Sequence, residues 1–349
     1  MFHEFRHALR HLSGPVVVLV AGIAAAVALL AGSGGASDSR SSEAIAATGE
    51  RGTIALVGFS APQVALDEVI PAFQRTPAGR GVGVRTSYGA SGDQSRAVAA
   101  GLPADLVAFS VAPDVRRLET AGLVAPGWDQ GPAHGSFATS LVVFLVRPGN
   151  PKRIRTWADL LRPGVEVLTP SPLTSGSAKW NLLAAYGQAS RSGGAQAGLS
   201  YVRRLLGEHV TVQDKSAREA LQSFAAGNGD VLLSYESEAV TARRKGEQVD
   251  YVIPERTIRI DLPLAVTADG AGGPAEAFAA HLRSTQAQRV LARWGYRPVD
   301  PAARAAEAAR FPAPAELLTI DDLGGWEAVD RPLFDPQTGA LVRLAREAR

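Results

Sequence analysis

An α/β fold in two lobes is what this chain predicts, on three observations. Apolar β-like runs alternate with helix-forming runs along almost its whole length, the pattern of a parallel sheet covered by helices. Its 349 residues exceed the size at which one hydrophobic core usually suffices. Its composition, 46% hydrophobic and 20% charged, is that of an ordinary globular protein and excludes disorder for the body.

The opening reads as a targeting segment rather than as fold. Arg6 and Arg10 precede an uncharged run over 15–31 and then small residues over 32–37, the layout of an export signal. A single membrane anchor is the other reading of a run of this length. With cleavage near Ala36, residues 1–36 are the signal and 37–51 a polar linker, which places the protein in the periplasmic or cell-envelope space. Leu29-Leu30-Ala31-Gly32 looks like the run before the lipidated cysteine of bacterial lipoproteins, but Ser33 follows it. A serine hydroxyl cannot take that lipid, so the sequence as written is not lipidated. The chain has no cysteine at all, which removes disulfides, thiolate chemistry and cysteine metal sites.

The first strand is expected over 53–57 and the first helix over 64–74, interrupted by Pro71. Strand 82–86, helix 94–100, strand 105–109 and helix 113–121 continue the alternation. Residues 141–146 are apolar without a break, the mark of a strand buried on both faces. Arg147-Pro148-Gly149-Asn150-Pro151 ends that strand abruptly. A second set follows: helix 156–161, strand 165–168, a long helix from Ala178, helix 196–206, strand 210–213, helix 217–226, strand 230–235, helix 236–244 and strand 249–253. One more apolar run starts at Asp261, followed by helices over 275–283 and 287–294. The tail beyond Pro298 is Ala/Pro-rich with short helices, and no repeat of solenoid period is visible.

Three strand-to-helix junctions share one chemistry. Ser171-Pro172-Leu173-Thr174-Ser175-Gly176-Ser177 runs from a strand into Ala178-Lys179-Trp180-Asn181. The free N–H groups of that first helical turn, the positive end of the helix dipole and the hydroxyls of Thr174, Ser175 and Ser177 make an anion site. Gly89-Ala90-Ser91-Gly92-Asp93-Gln94 is a second such junction, and Gln213-Asp214-Lys215-Ser216-Ala217-Arg218 a third, with Ser216 as N-cap. Taken singly, each is also explained as a capping serine and a flexible turn. Three of one chemistry in one chain point to a cleft. Tyr235, where a strand runs into a helix, is either rim packing or a neutral O–H donor to an anion. Arg218 either faces solvent or adds positive potential behind the site, whereas Trp157 and Trp180 read as packing residues.

Enzymatic chemistry has little to build on. Ser91 misses the spacing of a nucleophile elbow, and Ala178 fills the place where a Ser-x-x-Lys motif starting at Ser175 would need lysine. Beyond the signal only His134, His209 and His281 remain, far apart and without metal-ligand spacing, so neither a metal site nor any cofactor is expected. Net charge is +2, and no basic stripe with interleaved aromatics stands out, which argues against nucleic acid.

Read together, these segments resemble the prokaryotic sulfate-binding proteins, the extracytoplasmic receptors of sulfate ABC importers. Ser-Tyr-Gly-Ala-Ser-Gly-Asp-Gln-Ser-Arg (87–96) and Gly-Leu-Pro-Ala-Asp-Leu-Val (101–107) are similar to the first conserved stretch of that family. Residues 142–152, Trp157 and Arg162-Pro163-Gly164 look like its central run. Thr-Pro-Ser-Pro-Leu-Thr-Ser-Gly-Ser-Ala-Lys-Trp-Asn (169–181) resembles its Thr-Pro-Asn-Pro-Lys-Ser-Ser-Gly-Gly-Ala-Arg-Trp-Asn signature. Tyr235-Glu236-Ser237-Glu238-Ala239 and Gly324-Gly325-Trp326 extend the match, which runs from Thr53 to Trp326.

The resemblance implies a two-lobed periplasmic binding protein of type II. Each lobe would be a mixed, mostly parallel sheet flanked by helices, with the ligand in the interlobe cleft. Residues 52–138 would start lobe 1, 139–258 form lobe 2, and 259–349 return to lobe 1 and carry the C-terminal helices. Hinge motion would fall near 141–146 and 253–263. By the same resemblance the ligand contacts would be Ser60, Ser91, the hydroxyl of Ser175, the N–H groups of Gly176, Ser177 and Ala217, and Tyr235 where the family commonly has tryptophan. Gly92, Thr174 and Arg218 would support them. Ser60 stands where the family's first strand runs into an aspartate, so a hydroxyl replaces a carboxylate.

Sulfate carries no proton at neutral pH and suits a site made only of donors, whereas monohydrogen phosphate must donate and calls for an acceptor. Ser60 therefore favours sulfate, while Asp93, close to Ser91 in sequence, keeps phosphate open. Thiosulfate, molybdate and tungstate satisfy the same all-donor logic. The expected partners are sulfate or a related oxyanion and membrane ABC permease subunits, with the receptor itself a monomer. A two-lobed enzyme using Ser91 or Ser175 as nucleophile, and an envelope protein without ligand, are the rival readings.

Overall fold

The computed structural model of the protein describes residues 52–131 and 133–348. The export signal, the linker and Ser33 fall outside the described residues. Within them β1 (Thr53–Phe59), α1 (Gln63–Gln74), β2 (Gly83–Gly89), α2 (Ser91–Ala99), β3 (Leu106–Ala108) and α3 (Ala112–Thr120) alternate as expected. β1 lies parallel between β2 and β3, each helix returning the chain so that the strands point the same way. Pro71 does not interrupt α1, which runs through it to Gln74. Proline removes only one N–H donor there, and Ala65, Leu66, Val69, Ala72 and Phe73 hold the helix on the sheet by their burial.

The chain then crosses to the second lobe on β4 (Ser136–Val146), of which all but Thr139 is buried. A 3₁₀ turn at Trp157–Leu161, β5 (Val167–Leu168), α4 (Gly176–Arg204), β6 (Val210–Val212), α5 (Ala217–Ala225), β7 (Val231–Tyr235), α6 (Glu236–Arg244) and β8 (Asp250–Val252) follow. The return crossing is β9 (Arg256–Val266), followed by α7 (Pro274–Leu282), α8 (Thr285–Arg293), α9 (Pro301–Ala306), β10 (Glu316–Leu318), α10 (Gly325–Phe334) and α11 (Ala340–Glu347). The strand order is β2-β1-β3-β9-β4-β7-β5-β6, with β10 on β9 and β8 on β4.

β4 and β9 are the two crossing strands. Ser136 to Leu141 pair antiparallel with Pro263 to Arg259; beyond that stretch β4 pairs with β7 of the second lobe and β9 with β3 of the first. Each lobe is thus a parallel three-stranded set edged by one antiparallel crossing strand, the mixed, mostly parallel arrangement expected. β9 starts earlier than the apolar run at Asp261 suggests. Arg259 and Asp261 pair with each other at 2.9 Å on the outer face, while Ile258, Ile260 and Leu262 alternate inward.

The C-terminal helices differ from the expected return to lobe 1. Trp326 of α10 meets Trp180 of α4 edge-on at 4.9 Å, Lys179 pairs with Asp330 at 2.7 Å, and Gln213 donates to the carbonyl of Ala345 at 3.0 Å. Residues beyond β10 therefore pack on the second lobe, where the long α4 offers an apolar face. Leu341, Val342, Leu344 and Ala345 of α11 are buried. α10 also reaches back to the first lobe, through Arg116 and Glu327 at 3.4 Å.

Candidate functional site

The carboxyl ends of the parallel strands of both lobes face one another, which in open α/β sheets is where ligands bind. The three serine-rich junctions meet there. α2 starts after Ala90, α4 after Ser175 and α5 after Ser216, so three helix N-termini converge. Between them lies a small, tightly closed cavity of about 10 Å³ lined by Ser60, Ser91, Ser110, Ser175, Ser177 and Ser216, with Phe59, Gly89, Ala90, Gly176 and Ala217. No charged side chain lines it. The first N–H groups of each helix have no partner within the helix, so this wall is rich in donors.

The predicted ligand residues reach the cavity in all but one case. Ser60, Ser91, Ser175, Gly176, Ser177 and Ala217 line it; Tyr235 does not. Tyr235 is fully buried one layer back, its hydroxyl 2.6 Å from Ser110 Oγ. A tyrosine side chain at the N-cap of α6 points its phenol across the lobe junction, and Ser110 stands between it and the cavity. Burial pushes its phenol well above the ordinary tyrosine value, so it stays neutral.

Ser91 lines the cavity but does not offer its proton there. Its hydroxyl donates to Asp114 Oδ2 at 2.6 Å and accepts the N–H of Ser110 at 3.0 Å. Asp114 is itself buried, and Arg117 pairs with its other oxygen at 2.9 Å. A buried carboxylate beside a hydroxyl takes the stronger, charge-assisted bond, which turns the Ser91 proton away from the ligand space.

The supporting residues serve the closure of the lobes more than the cavity wall. Gly92 donates its N–H to the carbonyl of Thr174 at 3.0 Å, from first lobe to second. Thr174 Oγ1 donates to the carbonyl of Lys215 at 2.7 Å. Arg218 donates to the carbonyl of Ala61 at 3.1 Å, again across the lobes, and pairs with Glu238 at 3.2 Å. Glu238 is fully buried, and desolvation raises its carboxyl above the ordinary range against the pull of Arg218. Asp93 pairs with Arg96 and, at 3.3 Å, with Lys215, and is not among the lining residues.

Sequence reasoning missed Ser110. It follows β3 in Phe109-Ser110-Val111, where nothing but a single hydroxyl before α3 distinguishes it from a continuing strand. Its carbonyl accepts from Trp180 Nε1 at 2.7 Å, so Trp180 packs and also clamps. Gly176 approaches Ser110 so closely that a Cβ on Gly176 would lie 2.8 Å from the Cβ of Ser110. That contact explains why the α4 junction carries glycine at this place.

Two α/β lobes, joined by paired crossing strands and closed on a small cavity of neutral donors, define a two-lobed solute-binding protein. Residues 54–297 match the family described as bacterial extracellular solute-binding protein. The chain is 38% identical over 301 residues to the sulfate-binding protein of Synechococcus elongatus, covering 82% of this chain and 85% of that one. It is 36% identical over 267 residues to the sulfate-binding protein of Escherichia coli, covering 73% and 81%. To the thiosulfate-binding protein of Pseudomonas aeruginosa it is 34% identical over 280 residues, covering 76% and 84%. Among solved structures, the sulfate-binding protein SubI from Mycobacterium tuberculosis superposes with a TM-score of 0.79 at 53% identity, over 81% of this chain and 99% of that one. The chain belongs to the bacterial extracellular solute-binding proteins, within the prokaryotic sulfate-binding protein family. No helix among the described residues is long and apolar enough to cross a membrane.

Proposed function

We propose that the protein is an exported receptor that encloses a fully ionised tetrahedral oxyanion, sulfate in the first place, and delivers it to a membrane ABC permease. The observation that carries this reading is the lining of the cavity. Six serines line it, of which Ser91 and Ser216 give their protons to Asp114 and Glu219, together with the amides of three helix N-termini, and no carboxylate is among the lining residues. Oriented N–H and O–H dipoles offset a buried dianion without a full counter-charge. Monohydrogen phosphate would need an acceptor, and the acidic groups nearby are engaged elsewhere. Asp93 faces Arg96 and Lys215, and Asp114 lies behind Ser91.

Binding rather than turnover fits the same wall. A serine nucleophile needs a base, and no titratable side chain is among the lining residues. His209 Nδ1 is held by the carbonyl of Val165 at 3.0 Å, far from the junctions in the second-lobe core. Thiosulfate is the second reading, favoured by the Pseudomonas relative and by identical donor logic.

Equilibrium dialysis of the protein against radiolabelled sulfate tests the proposal. One bound sulfate per chain is expected, displaced by excess thiosulfate more readily than by phosphate, with no hydrolysis of p-nitrophenyl esters or phosphates. Retention of no label, or ester turnover lost in Ser175→Ala, would contradict it.

A further inference from the structure

Ser60, Ser91 and Ser110 are the first-lobe serines that line the cavity, and Ser91 gives its proton to Asp114. Ser110, which follows β3, lines the cavity and its hydroxyl meets Tyr235 of the second lobe. Its main chain is pinned on both sides: the N–H donates to Ser91 Oγ at 3.0 Å, and the carbonyl accepts from Trp180 Nε1 at 2.7 Å. Its hydroxyl is left free to rotate between the cavity and Tyr235, 2.6 Å away.

We infer that Ser110 is a first-lobe hydroxyl donor to the bound anion, and that Tyr235 positions it by donating its phenol proton to Ser110 Oγ. An anion in the cavity offers only acceptors, so it orients the Ser110 proton toward itself and leaves the Ser110 lone pair for the phenol. No other partner is formed by the Tyr235 hydroxyl among the described residues, and the side chain is completely buried. Each bond in such a chain polarises the next, so the pair donates more strongly than an isolated serine. Tyr235 comes from the second lobe and Ser110 from the first, which means that the relay exists only in the closed form. It thereby replaces one direct aromatic donor by a two-residue donor that also senses closure.

This inference rests on the oxyanion-receptor reading, and its test separates the two. Sulfate is titrated calorimetrically into the full chain, Ser110→Ala, Tyr235→Phe and the double variant, with unliganded melting temperatures as a folding control. Loss of a hydrogen bond to a charged group corresponds to about ten- to a hundredfold in Kd for Ser110→Ala. Tyr235→Phe should lose less, roughly three- to tenfold, because the serine remains as an unassisted donor. In the Ser110→Ala background, Tyr235→Phe should cost nothing further, which a merely structural tyrosine would not show. Full affinity in Ser110→Ala, or losses that simply multiply in the double variant, overturns the relay while leaving the receptor standing. Tyr235→Phe is isosteric, so unchanged affinity there overturns the relay even if Ser110→Ala fails to fold. A wild-type chain silent toward sulfate, thiosulfate and molybdate overturns the receptor reading and the relay with it.

Discussion

Gly176 stands at a close approach of the two lobes. A methyl group placed on it would meet Ser110 Cβ at 2.8 Å, Ser110 Oγ at 3.1 Å and Val111 Cγ2 at 3.2 Å, so something must shift to admit it. Gly176→Ala should therefore hold the lobes apart at a cost of about 1–3 kcal/mol, some ten- to a hundredfold in sulfate Kd. Titration calorimetry measures this; the unliganded melting temperature should barely move, because the glycine contributes to closure and not to either core. Glu238 supports a second prediction at this scale. Burial raises its carboxyl above the usual glutamate range. A carboxyl raised in the folded state binds protons more tightly there than in the unfolded chain, so stability is present below the unfolded value and declines as pH rises through the folded one. Glu238→Gln removes that decline, and its melting temperature should exceed the parent's at neutral pH but not in acid. The site's legibility in the sequence also divides by residue. The capping serines and glycines of three junctions carry local signatures, since hydroxyls and glycine before a helix have few other uses. Ser110 carries none, because what makes it a site residue is Tyr235 and Gly176 reaching it from the other lobe.

The elements show the same division between local and long-range causes. Alternation of apolar and helical runs places most strands and helices of both lobes, because each is decided by neighbours a few residues away. β9 and β10 are less visible. Arg259 and Asp261 interrupt the apolar pattern although the strand continues through them, and Glu316 to Leu318 form a strand only by pairing with β9. The C-terminal helices have an apolar face, yet nothing in that face says which lobe it will cover. α4 contains its own turn: Gly193 and Gly194 leave helical geometry, with Gly194 at φ 67°, and the segment after them folds back on the one before. Gly198 touches the ring of Tyr186 there so closely that a Cβ would sit 2.5 Å from it. Gly198→Ala is expected to destabilise the chain by about 1–3 kcal/mol through overpacking, seen as a lower melting temperature. Sulfate affinity should be unchanged, since this turn is remote from the cavity; a parallel loss of affinity would show that α4 transmits strain to its N-terminus.

At the scale of the whole molecule, the closed arrangement is held by polar contacts that cross between the lobes. Gly92 to Thr174, Arg218 to Ala61, Lys215 to Asp93 and Trp180 to Ser110 all join residues supported by different halves of the sheet. The chain crosses between the halves on the paired strands β4 and β9 and once more between α9 and β10, so hinge closure about these crossings is the motion the topology allows. The ligand is then bound by a wall without a titratable group, and the phenol of Tyr235 is pushed above its ordinary range. Sulfate affinity should accordingly be flat between about pH 5 and 9, a range in which carboxylates, histidines or thiols in the wall would impose a slope. The measurement that tests the central claim most directly is competitive titration calorimetry of sulfate against phosphate on the same preparation near pH 8, where phosphate must carry its proton into the site. One sulfate bound tightly with phosphate silent is the predicted result. Phosphate binding as tightly as sulfate would contradict the account, because its proton calls for a strong acceptor and no carboxylate is among the lining residues.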